Sequence, residues 1–141
     1  MSEAECRKSY SNASDAFVRA VVECSREGKL SCGYPDTCVF ERIGTTTATR
    51  AQVEVADAYC ASCFPDVDED QCRNAVLRPE GEAPSFSFGL RALADAAAQG
   101  ALECATTTPS LPNGYCPGDF FTCIAKFRPI AAYTDCRREA P

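Results

Sequence analysis

The chain has 141 residues, with 20 acids against 14 bases and a formal net charge of −6. That length suits a single domain spanning 1–141, with roughly two-thirds of the unfolded chain's surface available for burial. The scattered bases give no electrostatic footprint for nucleic acid or anionic lipid, and no apolar run reaches the roughly 18 residues of a membrane-spanning helix. Neither partner is expected.

Eleven of the residues are cysteine, a density close to that of disulfide scaffolds and far above that of reduced cytosolic proteins. An oxidising compartment is therefore expected, secreted or periplasmic. The opening "MSEAEC" is acidic where a signal peptide needs a basic and then an apolar run. Met1 is the only methionine, which suits a start placed before a trimmed mature protein.

In chain order, residues 3 to 27 carry Cys6, Tyr10, Ala13, Phe17, Ala20, Val21 and Cys24 at steps of three and four, the apolar face of an amphipathic helix. Gly28 stops it. A second helix is expected from about Ala51 to Cys63, started by the capping box Thr49-x-x-Gln52. Asp66 then caps a short helix to about Arg78, with Asp68, Glu69 and Asp70 where the positive end of the helix dipole favours them. One helix is expected over 87–104, then a loop with an Asn113-Gly114 turn signal. Short helices over about 119–128 and 130–139 close the chain. With no convincing strand, the reading is all-α: a disulfide-rich bundle of about six helices.

The same segments suggest an internal duplication with halves 1–64 and 65–141. "DAFVRAVVEC" at 15 aligns without a gap on "DAAAQGALEC" at 95, matching Asp15 with Asp95, Ala16 with Ala96, Glu23 with Glu103 and Cys24 with Cys104. "CGYPDTCVFERI" then resembles "YCPGDFFTCIAKF".

"ADAYCASCFPDVDEDQC" holds the one close cysteine pair. A redox dithiol places such a pair at a helix start, where the dipole lowers the thiol pKa. Cys60 and Cys63 instead end a helix, among carboxylates that raise it. A cysteine-only metal site would need distant thiolates to join them. With no histidine in the chain, Ser-His-Asp, Cys-His and His-metal chemistry are removed. No metal, cofactor or catalytic residue is assigned. The run Asp66-x-Asp68-x-Asp70 misses the EF-hand template, since Gln71 stands at the turn-glycine position and Leu77 at the bidentate-acid position. Asn12-Ala13-Ser14 matches a glycosylation sequon but falls inside the first expected helix.

The cysteines are thus structural: Cys6, Cys24, Cys32, Cys38, Cys72, Cys104, Cys116, Cys123 and Cys136, with one of Cys60 or Cys63. Eleven cannot all pair within one chain, so one is free or joins two chains in a disulfide-linked dimer. Only one of Cys60 and Cys63 is needed to reach Cys72, so the other is the expected spare thiol. In a continuous first helix, Cys6 and Cys24 lie about 27 Å apart and cannot bond. Cys24 should bond Cys32 or Cys38, Cys104 should make the matching bond to Cys116 or Cys123, and Cys6 should reach Cys72 or Cys136.

Ala/Arg/Asp-rich helices with "DAYCASC" and a late "FFTC" resemble uncharacterised cysteine-rich exported proteins and lipoproteins of myxobacteria. The resemblance implies an exported bacterial protein and no activity. The expected role is a disulfide-stabilised helical interaction or structural module, not an enzyme, with a protein partner. The alternatives are a carrier holding a small apolar ligand between helices, and a thiol redox or cysteine-only metal protein.

Overall fold

A computed structural model describes residues 11–30, 37–78, 84–107 and 116–127. Within them the chain is all-α and cross-linked by disulfides. The helices are α1 (Asp15–Arg26), α2 (Thr37–Gly44), α3 (Arg50–Cys63), α4 (Glu69–Leu77), α5 (Pro84–Arg91), α6 (Asp95–Thr107) and α7 (Cys116–Phe127). Among the described residues no helix is long and apolar enough to cross a membrane. The expected helix over 130–139 lies outside them.

Local chemistry sets the helix ends. The first expected helix is cut short: residues 11–14 form a turn and a β-bridge, and α1 starts only at Asp15. Ser14 is the reason, because its hydroxyl accepts from the Phe17 amide at 3.1 Å and caps a new start against the continuing apolar period. The geometry that put Cys6 and Cys24 on one helix therefore falls. Asn12 sits exposed in the turn, not inside a helix. At the other end Gly28, at φ 67°, supplies the left-handed residue of a Schellman motif. Its amide bonds the Ser25 carbonyl, and the Lys29 amide bonds the Cys24 carbonyl.

The capping box that opens α3 is present in both directions, with Thr49 and Gln52 exchanging backbone-to-side-chain bonds of 3.1 and 3.2 Å. The cap of α4 is Asp68, not Asp66, and it accepts from the Gln71 amide at 3.0 Å. The single helix expected over 87–104 is two, α5 and α6, broken at Ala92–Ala94. That break is tertiary in origin. Leu93 pairs with Ala13 in an antiparallel bridge, with Ser14 N–H donating to the Ala92 carbonyl at 2.7 Å and Ala94 N–H to the Asn12 carbonyl at 2.8 Å.

The apolar residues form two clusters. The larger gathers α3, α4, α6 and α7 around Val55, Ala56, Tyr59, Leu90, Leu93 and Ala98. The smaller lies between α1 and α2 and contains Phe17, Val18, Val21, Cys24, Val39 and Ile43. Neighbouring residues in the break serve opposite sides: Ala92 belongs to the smaller cluster and Leu93 to the larger.

Among the described residues three disulfides each tie one hairpin of consecutive helices. Cys24–Cys38 joins α1 to α2, Cys60–Cys72 joins α3 to α4 and Cys104–Cys123 joins α6 to α7. With sequence separations of 14, 12 and 19, each stabilises by about 3 kcal/mol if it acts mainly on unfolded-chain entropy. Ion pairs follow two of the same hairpins. Arg42 on α2 reaches Glu23 at 2.8 Å and the α1 C-cap residue Glu27 at 2.5 Å, while Arg73 on α4 reaches Asp57 on α3 at 2.5 Å.

Candidate functional site

The chemistry read from "DAYCASCFPDVDEDQC" is resolved by covalent bonding. Cys60 bonds Cys72, not Cys63, which clamps the α3–α4 turn. Cys63 is also disulfide-bonded, to a partner outside the described residues. The expectation that one of this pair is the spare thiol is thus corrected. A sequence-local argument asked only which sulfur Cys72 needs, and could not see a second, distant partner. Neither sulfur is left as a thiolate to attack a disulfide or hold a metal.

All seven cysteines whose bonding is described are oxidised. By parity the odd thiol of the eleven falls among Cys6, Cys32, Cys116 and Cys136, whose side chains are not among those described. Cys72 is taken by Cys60, so the expected Cys6–Cys72 bond is excluded. Nearby carboxylates are engaged in local structure: Asp68 as the α4 cap, Asp70 with Arg73 at 2.8 Å. Among the described residues no group of three or more Cys, Asp or Glu side chains could hold a metal ion.

The most organised polar site lies elsewhere, where the two apolar clusters meet. Arg91, the last residue of α5, is 5% exposed. Its guanidinium donates to the Leu77 carbonyl at 2.9 Å, the Ile43 carbonyl at 3.1 Å, and the Thr46 carbonyl and hydroxyl at 2.7 and 3.0 Å. None of these partners is a carboxylate. Leu77 ends α4, and Ile43 and Thr46 lie at the end of α2, so the cation caps two helix C-termini. Each terminus carries about half a negative charge, and two of them balance one guanidinium. Burial pushes the Arg91 pKa down, yet the guanidinium stays charged at neutral pH.

The Arg91 carbonyl is a second junction. It accepts from the Ser14 hydroxyl at 2.9 Å and from the Gln52 side-chain amide at 3.0 Å. Gln52, 1% exposed, also donates to the Leu93 carbonyl at 2.9 Å while its oxygen accepts from Thr49. One residue therefore ties the α1 cap, the α3 cap and the ends of α2 and α4.

A cavity of about 220 Å³ opens beside this junction, lined in part by Ser14, Asp15, Thr47, Thr49, Arg91 and Asp95. The starts of α1, α3 and α6 converge on it. Its buried polar side chains are already bonded within the chain, and Asp15 and Asp95 place negative charge against any anion drawn by the helix starts. It is lined by Ala, Ser, Thr, Asp, Gln and Arg side chains, without the aromatic and large aliphatic groups that hold an apolar guest. The aromatic side chains Phe17 and Phe120 are packed in the cores, 3% and 4% exposed, not around a void.

Sequence reasoning assigned no role to Ser14 or Arg91, and gave Gln52 only its cap. The Ser14-Asp15 pair is a helix-start signature and could have been read. Arg91 had no local signal, since its acceptors lie 14 to 48 positions away. Comparison with family models, with curated proteins and with solved structures returns no match.

Proposed function

We propose that the protein is a disulfide-braced helical interaction or structural module of an oxidising extracytoplasmic compartment, secreted or periplasmic, and of bacterial origin. The observation that carries this reading is the oxidation of every cysteine whose bonding is described, six of them in bonds that each close a helical hairpin. Such bonds persist where thiols are not kept reduced. The role is non-catalytic: buried polar chemistry is spent on helix ends and caps, and the chain brings no histidine. Large apolar side chains left exposed, Phe64 at 42%, Val67 at 40% and Phe121 at 41%, support contact with a protein partner.

The test is mass analysis and melting of protein recovered from its native compartment, with and without reductant. Disulfide-bonded protein that unfolds on reduction is expected. Recovery as a fully reduced, equally stable chain would refute the proposal.

A further inference from the structure

We infer that the seam around Ala13 and Leu93 is a self-complementary contact between equivalent segments of one helical-hairpin unit present twice in a single chain. Three independent features share one offset of 80. The sequence "DAFVRAVVEC" aligns on "DAAAQGALEC" at that offset. Helices α1 and α6 begin at Asp15 and Asp95. The residues that meet in the bridge, Ala13 and Leu93, are themselves equivalents. The bridge is reciprocal in the same register: Ser14 N–H binds the carbonyl of Ala92, and its equivalent Ala94 N–H binds the carbonyl of Asn12, the equivalent of Ala92. An antiparallel pair of equivalent residues exchanging equivalent bonds is the signature of a local two-fold axis, the isologous contact of a homodimer.

The covalent frame repeats as well. Each long helix bonds its tenth residue, Cys24 or Cys104, to the helix that follows, through Cys38 and Cys123. Of the alternatives open to each cysteine, both halves make the matching choice. The backbone symmetry is not matched by the side chains, since Ser11, Asn12 and Ser14 stand against Arg91, Ala92 and Ala94, and the last of these differences is the one that changes the caps. Ser14 caps α1 and sends its hydroxyl across the seam to the carbonyl of residue 91, whereas its equivalent is Ala94, which can do neither.

That difference supplies the test on the full oxidised chain. In Ala94→Ser the new hydroxyl should cap α6 and donate across the axis to the carbonyl of residue 11. The melting temperature should rise by about 4 °C. Ala94→Asp caps a helix as well as serine does, but its carboxylate cannot donate to a carbonyl. Measured at 1 M salt to screen Asp95, Ala94→Asp should therefore gain less than Ala94→Ser. Amide exchange gives a second readout needing no substitution: the Ser14 and Ala94 amides should open together, with protection agreeing within about threefold. An Ala94→Ser variant no more stable than wild type overturns the inference. So does Ala94→Asp matching or exceeding it, or one amide protected while the other exchanges freely.

Discussion

Replacing Arg91 by alanine removes four hydrogen bonds from a charged donor. The Ile43 carbonyl keeps partners, because the Thr46 amide and hydroxyl also donate to it at 3.0 and 2.7 Å. The Leu77 and Thr46 carbonyls lose their donor at the ends of α4 and α2. Two part-buried carbonyls left without their donor cost toward the lower end of the about 1–3 kcal/mol of a buried one, because water reaches them in part, and truncating the buried stem adds a cavity. Release of the buried charge from its desolvation penalty offsets part of this. The expected loss is about 2–3 kcal/mol. Arg91→Lys retains the charge but cannot span acceptors on two helices with one ammonium, so it should recover less than half of the loss. The assay is equilibrium denaturation in guanidinium with disulfides intact, with amide exchange showing whether the ends of α2 and α4 fray first. A loss below about 1 kcal/mol for Arg91→Ala, without local fraying, would refute the argument that this cation joins the two clusters.

Gln52→Glu should destabilise at pH 7, because a carboxylate faces the Arg91 and Leu93 carbonyls where an amide donated; stability should recover on acidification through the glutamate range, followed by melting against pH. Arg42 and then Lys29 hold the Glu27 carboxyl below its ordinary pKa by hydrogen bonding. A folded pKa below the unfolded value means stability present above the ordinary glutamate range and lost as pH falls through the folded pKa. Glu27→Gln should therefore lower the melting temperature at pH 7 and leave it unchanged near pH 2. A methyl added at Gly100 would lie 2.9 and 3.0 Å from two Phe127 ring atoms, so Gly100→Ala should cost stability in the wild type. In a Phe127→Ala background it should instead gain about 1 kcal/mol from helix propensity, a sign change that a double-mutant cycle reads directly. Peptide mapping under non-reducing conditions should find Cys60 and Cys63 both bridged and the labelled free thiol on Cys6, Cys32, Cys116 or Cys136.

Features that depend on near neighbours in sequence were the readable ones. The all-α class follows from 3.6-residue periodicity, the start of α3 from Thr49 and Gln52, the end of α1 from Gly28. Short separations and the reach of a disulfide narrow Cys24, Cys72 and Cys104 to two partners each, and the structure selects Cys38, Cys60 and Cys123. What failed was set by distant atoms. Residues 87–104 carry an unbroken helical pattern, yet Leu93 leaves it to pair with Ala13. No propensity scale contains that competitor. The same bridge, with the Ser14 cap, makes α1 start at Asp15, inside the stretch 3–27 over which the apolar period runs. Cys63 was misjudged for the same reason, its partner lying beyond the hairpin that explained Cys60. The junction at Arg91 is invisible in sequence because carbonyl acceptors belong to every residue and mark none.

The short reach of the three bridges bears on how the molecule is made. Each closes within 20 residues of chain, at separations of 14, 12 and 19, and loop closure is entropically favoured when the span is short. If the chain emerges from its N-terminus, as the proposed export would have it, Cys38 becomes available to Cys24 before Cys60 has appeared, and Cys72 to Cys60 before Cys104 has. Each sulfur passes over one nearer cysteine, Cys32, Cys63 or Cys116, to reach its partner, so order of emergence narrows the choice and the packing of each hairpin completes it. Refolding of the fully reduced, full-length chain offers all eleven thiols to one another at once, so scrambled isomers should accumulate in the test tube that export through an oxidising compartment avoids.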